Sequence, residues 1–227
     1  MTSSAPDTRA TRQAIIDACL WMNRRGINQG TSGNVSVRVG TRGDRMLITP
    51  TAVPYDMMTP EMLVEMPVTG EPAATGPRPS SEWRFHQALL AARPDMQAVV
   101  HAHSPHATAV ACQRRPIEAI HYMVAVFGGA DVPLTGYHLF GSEALARDVA
   151  ATMAHRHGCL MASHGAVVVG ETLDKALWRI EELEALAKMD LLCRAGPVPP
   201  VLLSGAEIAQ VVQSFAAYRP GVAIPEG

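Results

Sequence analysis

The sequence predicts a single α/β domain, and three observations carry that prediction. Segments of helical and strand period intermix along the chain instead of falling into separate blocks. A hydrophobic fraction of 48% against 18% charged residues supplies enough apolar material for a buried core. The 227 residues contain no internal repeat, low-complexity segment or long linker, so one domain spans 1–227. Residues 1–8 read as a loose tail and 219–227 as a mobile C-terminal tail.

Apolar residues recur at helical spacing from Arg9 to Arg25 (Ile15, Cys19, Met22), and Gly26 stops that helix. Asn28 to Asn34 is a run of turn formers. Val35, Val37 and Val39 alternate with Ser36 and Arg38, the pattern of a half-buried strand, with Arg45 to Thr49 as its partner. A turn follows at 49–52, and the Gly- and Pro-rich stretch 70–79 is a loop. Ser80-Ser81-Glu82 opens a helix that ends before Pro94. Gln97 to His103 is a buried-type strand, and Pro105 to Gln113 and Gly141 to His155 are helices. Two short strands between Cys159 and Val169 meet at His164-Gly165. Thr172 to Arg194 is a long amphipathic helix and Gly205 to Tyr218 the last one.

Charge and composition exclude several classes. A net charge of −2 offers no positive field for nucleic acid or an anionic membrane, and 5% aromatics leave little for base stacking. No apolar run approaches the roughly 18 residues of a membrane helix, and residues 1–12 lack the apolar core of a secretory signal. Cys19, Cys112, Cys159 and Cys193 are scattered and form no C-x-x-C pair. They read as reduced thiols of a cytoplasmic protein.

Histidine carries the chemistry. His101 and His103 lie two apart on a predicted strand, so both imidazoles leave the same face and form a chelating pair. Taken alone, such a pair is equally two histidines that happen to alternate. His164 precedes a glycine between two apolar runs, and Glu82 stands where a helix dipole favours a carboxylate anyway. Together the four would make a divalent-metal site. Zinc is the first choice, with manganese, cobalt or iron(II) also compatible. Gly33-Asn34, Thr51-Ala52 and Ser80-Ser81 sit in turns or at a helix start, where amides and hydroxyls bind anions or simply cap the backbone.

The stretches NQGTSGNVSVR, LITPTAVPYD, SSEWRFHQALLAARPDMQAVVHAHS, IHYMVAVFGG and SHGAVVVGETLDKALW resemble the class II aldolase/adducin family, in order and over residues 10–218. The resemblance implies a three-layer α/β/α fold around a mixed central sheet, and a homotetramer with active sites between subunits. It implies zinc held by His101, His103, His164 and Glu82. It also implies a phosphate pocket from Gly33, Asn34, Thr51, Ala52, Ser80 and Ser81, with Phe140 on the aldehyde side of the substrate. Tyr122 matches a proton donor that acts in the neighbouring subunit's site, and Tyr218 loosely matches a second tyrosine. The implied reaction is metal-dependent retro-aldol cleavage of a small sugar phosphate to dihydroxyacetone phosphate and an aldehyde, with Glu82 as general base.

Two departures bear on the substrate. Ala52 replaces a usual glycine, and Gly136-Tyr137-His138-Leu139 differs from the family's run before Phe140. Rival readings on the same scaffold are a metal-dependent decarboxylase, which would need a cation such as Arg38 or Arg84, and a 4-epimerase. The epimerases carry aspartate at the Glu82 position. A non-enzymatic adducin-like domain would have no reason to keep the four ligands.

Overall fold

The computed structural model describes residues 5–217. Strands β1 (Asn34–Val39), β2 (Arg45–Ile48), β3 (Val64–Pro67), β4 (Ala98–Ala102), β5 (Leu134–Thr135), β6 (Gly158–Met161) and β7 (Gly165–Gly170) form one sheet. Its order is β3-β2-β1-β4-β7-β6-β5. Every pairing is antiparallel except β5 with β6, so the sheet is mixed.

Helices cover both faces. On one side α1 (Arg9–Arg24), α3 (Pro105–Cys112) and α5 (Leu173–Ala195) pack on Val35, Val37, Val39, Val100, Ala102, Leu160 and Val168, and α6 (Gly205–Ala217) packs against the segment Tyr122–Phe127. On the other, α2 (Trp83–Ala92) and α4 (Glu143–Thr152) pack on Met46, Ile48, Val99, Cys159, Met161, Val167 and Val169. The fold is the three-layer α/β/α arrangement that the resemblance implied.

The structure corrects several expectations. β1 is buried along its whole length, not half-buried. It lies between β2 and β4, and α2 covers the face that carries Ser36 and Arg38. Arg38 is tolerated there because it donates to the backbone carbonyls of Met96, Gly43, Leu90 and Arg93. Ala5, expected in a loose tail, bridges Val39 and accepts from the Gly40 amide, and Thr8 caps α1. β3, β5 and a 3₁₀ turn over Tyr122–Phe127 are additional elements whose two to six residues are too few to show a period. Tyr218 and the C-terminal tail lie outside the described residues.

Candidate active site

β4 and the residue that follows it put His101 and His103 on the face turned toward α2. Their ring centroids are 4.9 Å apart, as strand period two requires. The turn between β6 and β7 brings His164 to 4.9 Å from His101 and 5.0 Å from His103. Gly165 makes this approach feasible: a Cβ there would meet the Ala102 carbonyl at 2.7 Å and the His103 ring at 3.0 Å. Glu82 is the N-cap residue of α2, yet its side chain makes no capping bond. It turns instead toward the imidazoles, with Oε2 at 3.1 Å from His101 Nε2 and Oε1 at 3.1 Å from His164 Nε2. One ligand atom from each of the four residues lies within 4.8 Å of the others.

The donor chemistry fits a divalent cation. His101 Nδ1 is 2.8 Å from the Ala166 carbonyl, so that nitrogen carries the proton and Nε2 presents a bare lone pair. His101 Nε2, His103 Nε2 and Glu82 Oε1 are buried without a hydrogen-bond partner. Buried orphans are expensive unless something else engages them. Burial, aided by the neighbouring imidazoles, lowers His103 to about 4 and keeps it a neutral ligand. Burial pushes the Glu82 carboxyl up, but positive charge in the cluster, whether on its imidazoles or on a bound cation, pulls it further down, below the usual carboxylate range.

A cleft of about 320 Å³ opens beside this cluster. Glu82, His103 and His164 line it, and so do all seven expected substrate residues: Gly33, Asn34, Thr51, Ala52, Ser80, Ser81 and Phe140. His101 lies just behind, fully buried. Gly33 must be glycine, because a Cβ would meet the His101 carbonyl at 2.7 Å. The Tyr55 hydroxyl donates to the Gly33 carbonyl and anchors the turn. Ala52 has φ +56°, so the methyl leaves the turn in the left-handed backbone that glycine would adopt freely.

Sequence reasoning passed over Thr31, Ser32 and Ser163, which also line the cleft. It read Asn28 only as a turn former. Its Oδ1 accepts from the His103 amide and the Ser32 hydroxyl, tying the turn to a ligand-bearing strand. Tyr137 and His138 also line the cleft, where His138 Nε2 meets Asp148 Oδ2 at 2.9 Å. Tyr122 is 47% exposed and does not line this cleft. Arg38 is committed to backbone carbonyls, and Arg84 stacks on Trp83 outside the cleft. Among the described residues, no lysine or arginine lines the cleft.

A three-layer fold with a His₃Glu cluster beside a hydroxyl-rich turn pocket is the setting in which to place the relatives. Residues 13–191 match the class II aldolase and adducin N-terminal domain. The chain is 46% identical over 204 residues to L-fuculose phosphate aldolase of Escherichia coli K12, covering 90% of this chain and 93% of that one. It is 42% identical over 217 residues to the 5-methylthioribulose-1-phosphate/5-deoxyribulose-1-phosphate aldolase of Rhodospirillum rubrum, covering 95% and 96%. A solved L-fuculose 1-phosphate aldolase superposes with a TM-score of 0.87 at 32% identity, covering 92% and 97%. The chain belongs to the class II aldolase and adducin family, on its enzymatic, aldolase side. No helix among the described residues is long and apolar enough to cross a membrane.

Proposed function

We propose that the protein cleaves a ketose 1-phosphate of the L-fuculose 1-phosphate type to dihydroxyacetone phosphate and a small aldehyde. The observation that carries this reading is one cleft in which a His₃Glu ligand set adjoins neutral turn and helix-start donors.

His101, His103 and His164, with Glu82, would hold the cation, zinc by the chemistry of the donor set. Such an ion supplies a Lewis acid for the negative charge that develops on the ketone oxygen. The amides and hydroxyls of Gly33, Thr51, Ala52, Ser80 and Ser81 bind the phosphate. That fixes the substrate at a point remote from the reacting carbon. In the synthetic direction Glu82 removes a proton from the hydroxymethyl carbon of dihydroxyacetone phosphate, and in cleavage it returns one there. Tyr122 exchanges the matching proton at the aldehyde oxygen. Its exposure and its place outside this protomer's cleft support a role in a neighbouring subunit's site, within a homotetramer. Four free, unpaired cysteines suit the cytoplasm.

A second reading keeps the reaction and changes the aldehyde. Phe140 and Tyr137 give the cleft an apolar wall, which suits a deoxy or methylthio sugar phosphate such as the one named for the Rhodospirillum relative. A decarboxylase is less well served, because neither Arg38 nor Arg84 reaches the cleft to meet a carboxylate.

Cleavage of L-fuculose 1-phosphate and of 5-deoxyribulose 1-phosphate should be measured side by side, with and without chelator. Chelator-sensitive release of dihydroxyacetone phosphate that returns with zinc supports the proposal. The ratio of kcat/KM selects the aldehyde. Failure to cleave either substrate by a metal-loaded enzyme overturns it.

A further inference from the structure

We infer that His86 is a positioning residue that acts through Asn34 to set the Glu82 carboxylate in the ligand cluster. This deepens the functional reading above and rests on its assignment of Glu82. Asn34 and Ser36 are two apart on β1 and face α2, and His86 lies one helical turn after Glu82. Asn34 is also directly opposite His101 in the β1–β4 register. The Ser36 hydroxyl lies 2.8 Å from His86 Nδ1, and His86 Nε2 bonds Asn34 Oδ1. Asn34 Nδ2 donates to Glu82 Oε2 at 3.0 Å. All four side chains are buried.

The direction of every bond in this chain is forced from one end. A carboxylate oxygen only accepts, so Asn34 must offer its NH₂ to Glu82 and turn its Oδ1 to His86. Oδ1 only accepts, so His86 carries its proton on Nε2. Nδ1 is then bare and takes the Ser36 hydroxyl proton. A reversed Asn34 amide would set two acceptors against each other at Glu82, so the carboxylate fixes the amide and, through it, the His86 tautomer. By donating to Oδ1, His86 Nε2 holds the Asn34 side chain in place against Glu82. Oε2 is pinned, while Oε1, without a hydrogen-bond partner, faces His164. The Asn34 side chain expected in the phosphate pocket is thus engaged by Glu82 and His86.

The test compares His86→Leu with His86→Gln, whose side-chain amide can place a donor near the position of Nε2. Zinc affinity is measured by competition with a chromophoric chelator, alongside kcat, KM and thermal stability. His86→Leu is expected to weaken zinc roughly 10–100-fold, as loss of a group that orients a ligand does, and to lower kcat with KM unchanged. His86→Gln should restore most of both losses. A folded His86→Leu protein with wild-type affinity and kcat overturns the inference. So does a His86→Gln protein as impaired as the leucine variant at equal stability. If His86→Leu does not fold, ¹⁵N shifts of His86 in the metal-free wild type decide: the Nε2-protonated tautomer supports the chain, and the other tautomer or a charged ring overturns it. Should the wild type bind zinc yet cleave no sugar phosphate, the functional reading fails while the affinity ratio still judges this one.

Discussion

The two faces of β1 and β4 are built from the same strands and do opposite work. Toward α1 and α5 they present Val35, Val37, Val39, Ala98, Val100 and Ala102, a continuous apolar layer. Toward α2 they present Asn34, Ser36, Arg38 and His101, equally buried. Burying polar groups is tolerable only when they are hydrogen-bonded. Ser36 and Arg38 meet that condition with protein partners alone. The exceptions, His101 Nε2 and the adjacent Glu82 Oε1, collect at the ligand cluster. One face contributes stability, and the other contributes geometry for a ligand.

Substitutions on the two faces should separate these contributions. The largest effect is expected from Glu82→Gln, which keeps shape and removes the base. Turnover should fall about 10²–10⁴-fold while the melting temperature stays close to wild type. A variant that retains turnover would remove Glu82 from proton transfer. On the opposite side, Leu160→Ala empties part of the apolar layer. Urea unfolding should show a loss of about 2–5 kcal/mol, with KM unchanged in the folded fraction. Equal loss of activity and stability in both variants would dissolve the distinction between the faces.

Acid should unfold the protein partly through the polar face. Burial, with a smaller contribution from His101, pushes His86 from its ordinary 6.5 down to about 3. Between those values the unfolded chain binds a proton that the folded chain refuses. His86 therefore adds full stability above pH 6.5, and that stability is lost as pH falls toward 3. The slope is about 1.4 kcal/mol per pH unit for one proton. Urea midpoints across this range should fall less steeply in His86→Leu than in wild type. Identical slopes would show that the ring titrates freely in the fold.

The smallest effect concerns the cleft rim. Ala52 sits at φ +56°, which for a residue with a Cβ costs about 1–2 kcal/mol. Ala52→Gly relieves that strain and adds unfolded-chain entropy, so the net change should be a stabilisation of about 1 kcal/mol or less. A clear destabilisation in calorimetry would mean that the methyl packs usefully.

Much of the site was legible early because strand and helix periods are local. Period two alone put His101 and His103 on one side of a strand. The turn formers at 28–34 and 49–52 and the serines before Glu82 marked donors that the cleft gathers together. His86 was harder to read. One turn beyond Glu82, it reads either as a support behind the ligands or, more commonly for a histidine so placed, as an exposed or packed residue, and only the β1 face opposite it reveals its partners. Glu184 is as hard to read: helix period alone puts it on a solvated face, yet it accepts from the His106 and Ala107 amides at the start of α3. Such partners lie 50 to 78 residues away in sequence, and nothing in a local pattern encodes that distance.

By itself, then, the sequence determined most of the segments that are helix or strand and which residues could bind a metal or an anion. These follow from side-chain chemistry and short-range periodicity. Only the tertiary structure decided that Glu82 turns away from its helix toward the imidazoles, that Arg38 serves backbone carbonyls, and that Asn34 faces a carboxylate. Each of those outcomes depends on which buried polar atoms remain without partners once the sheet and its two helical layers have closed.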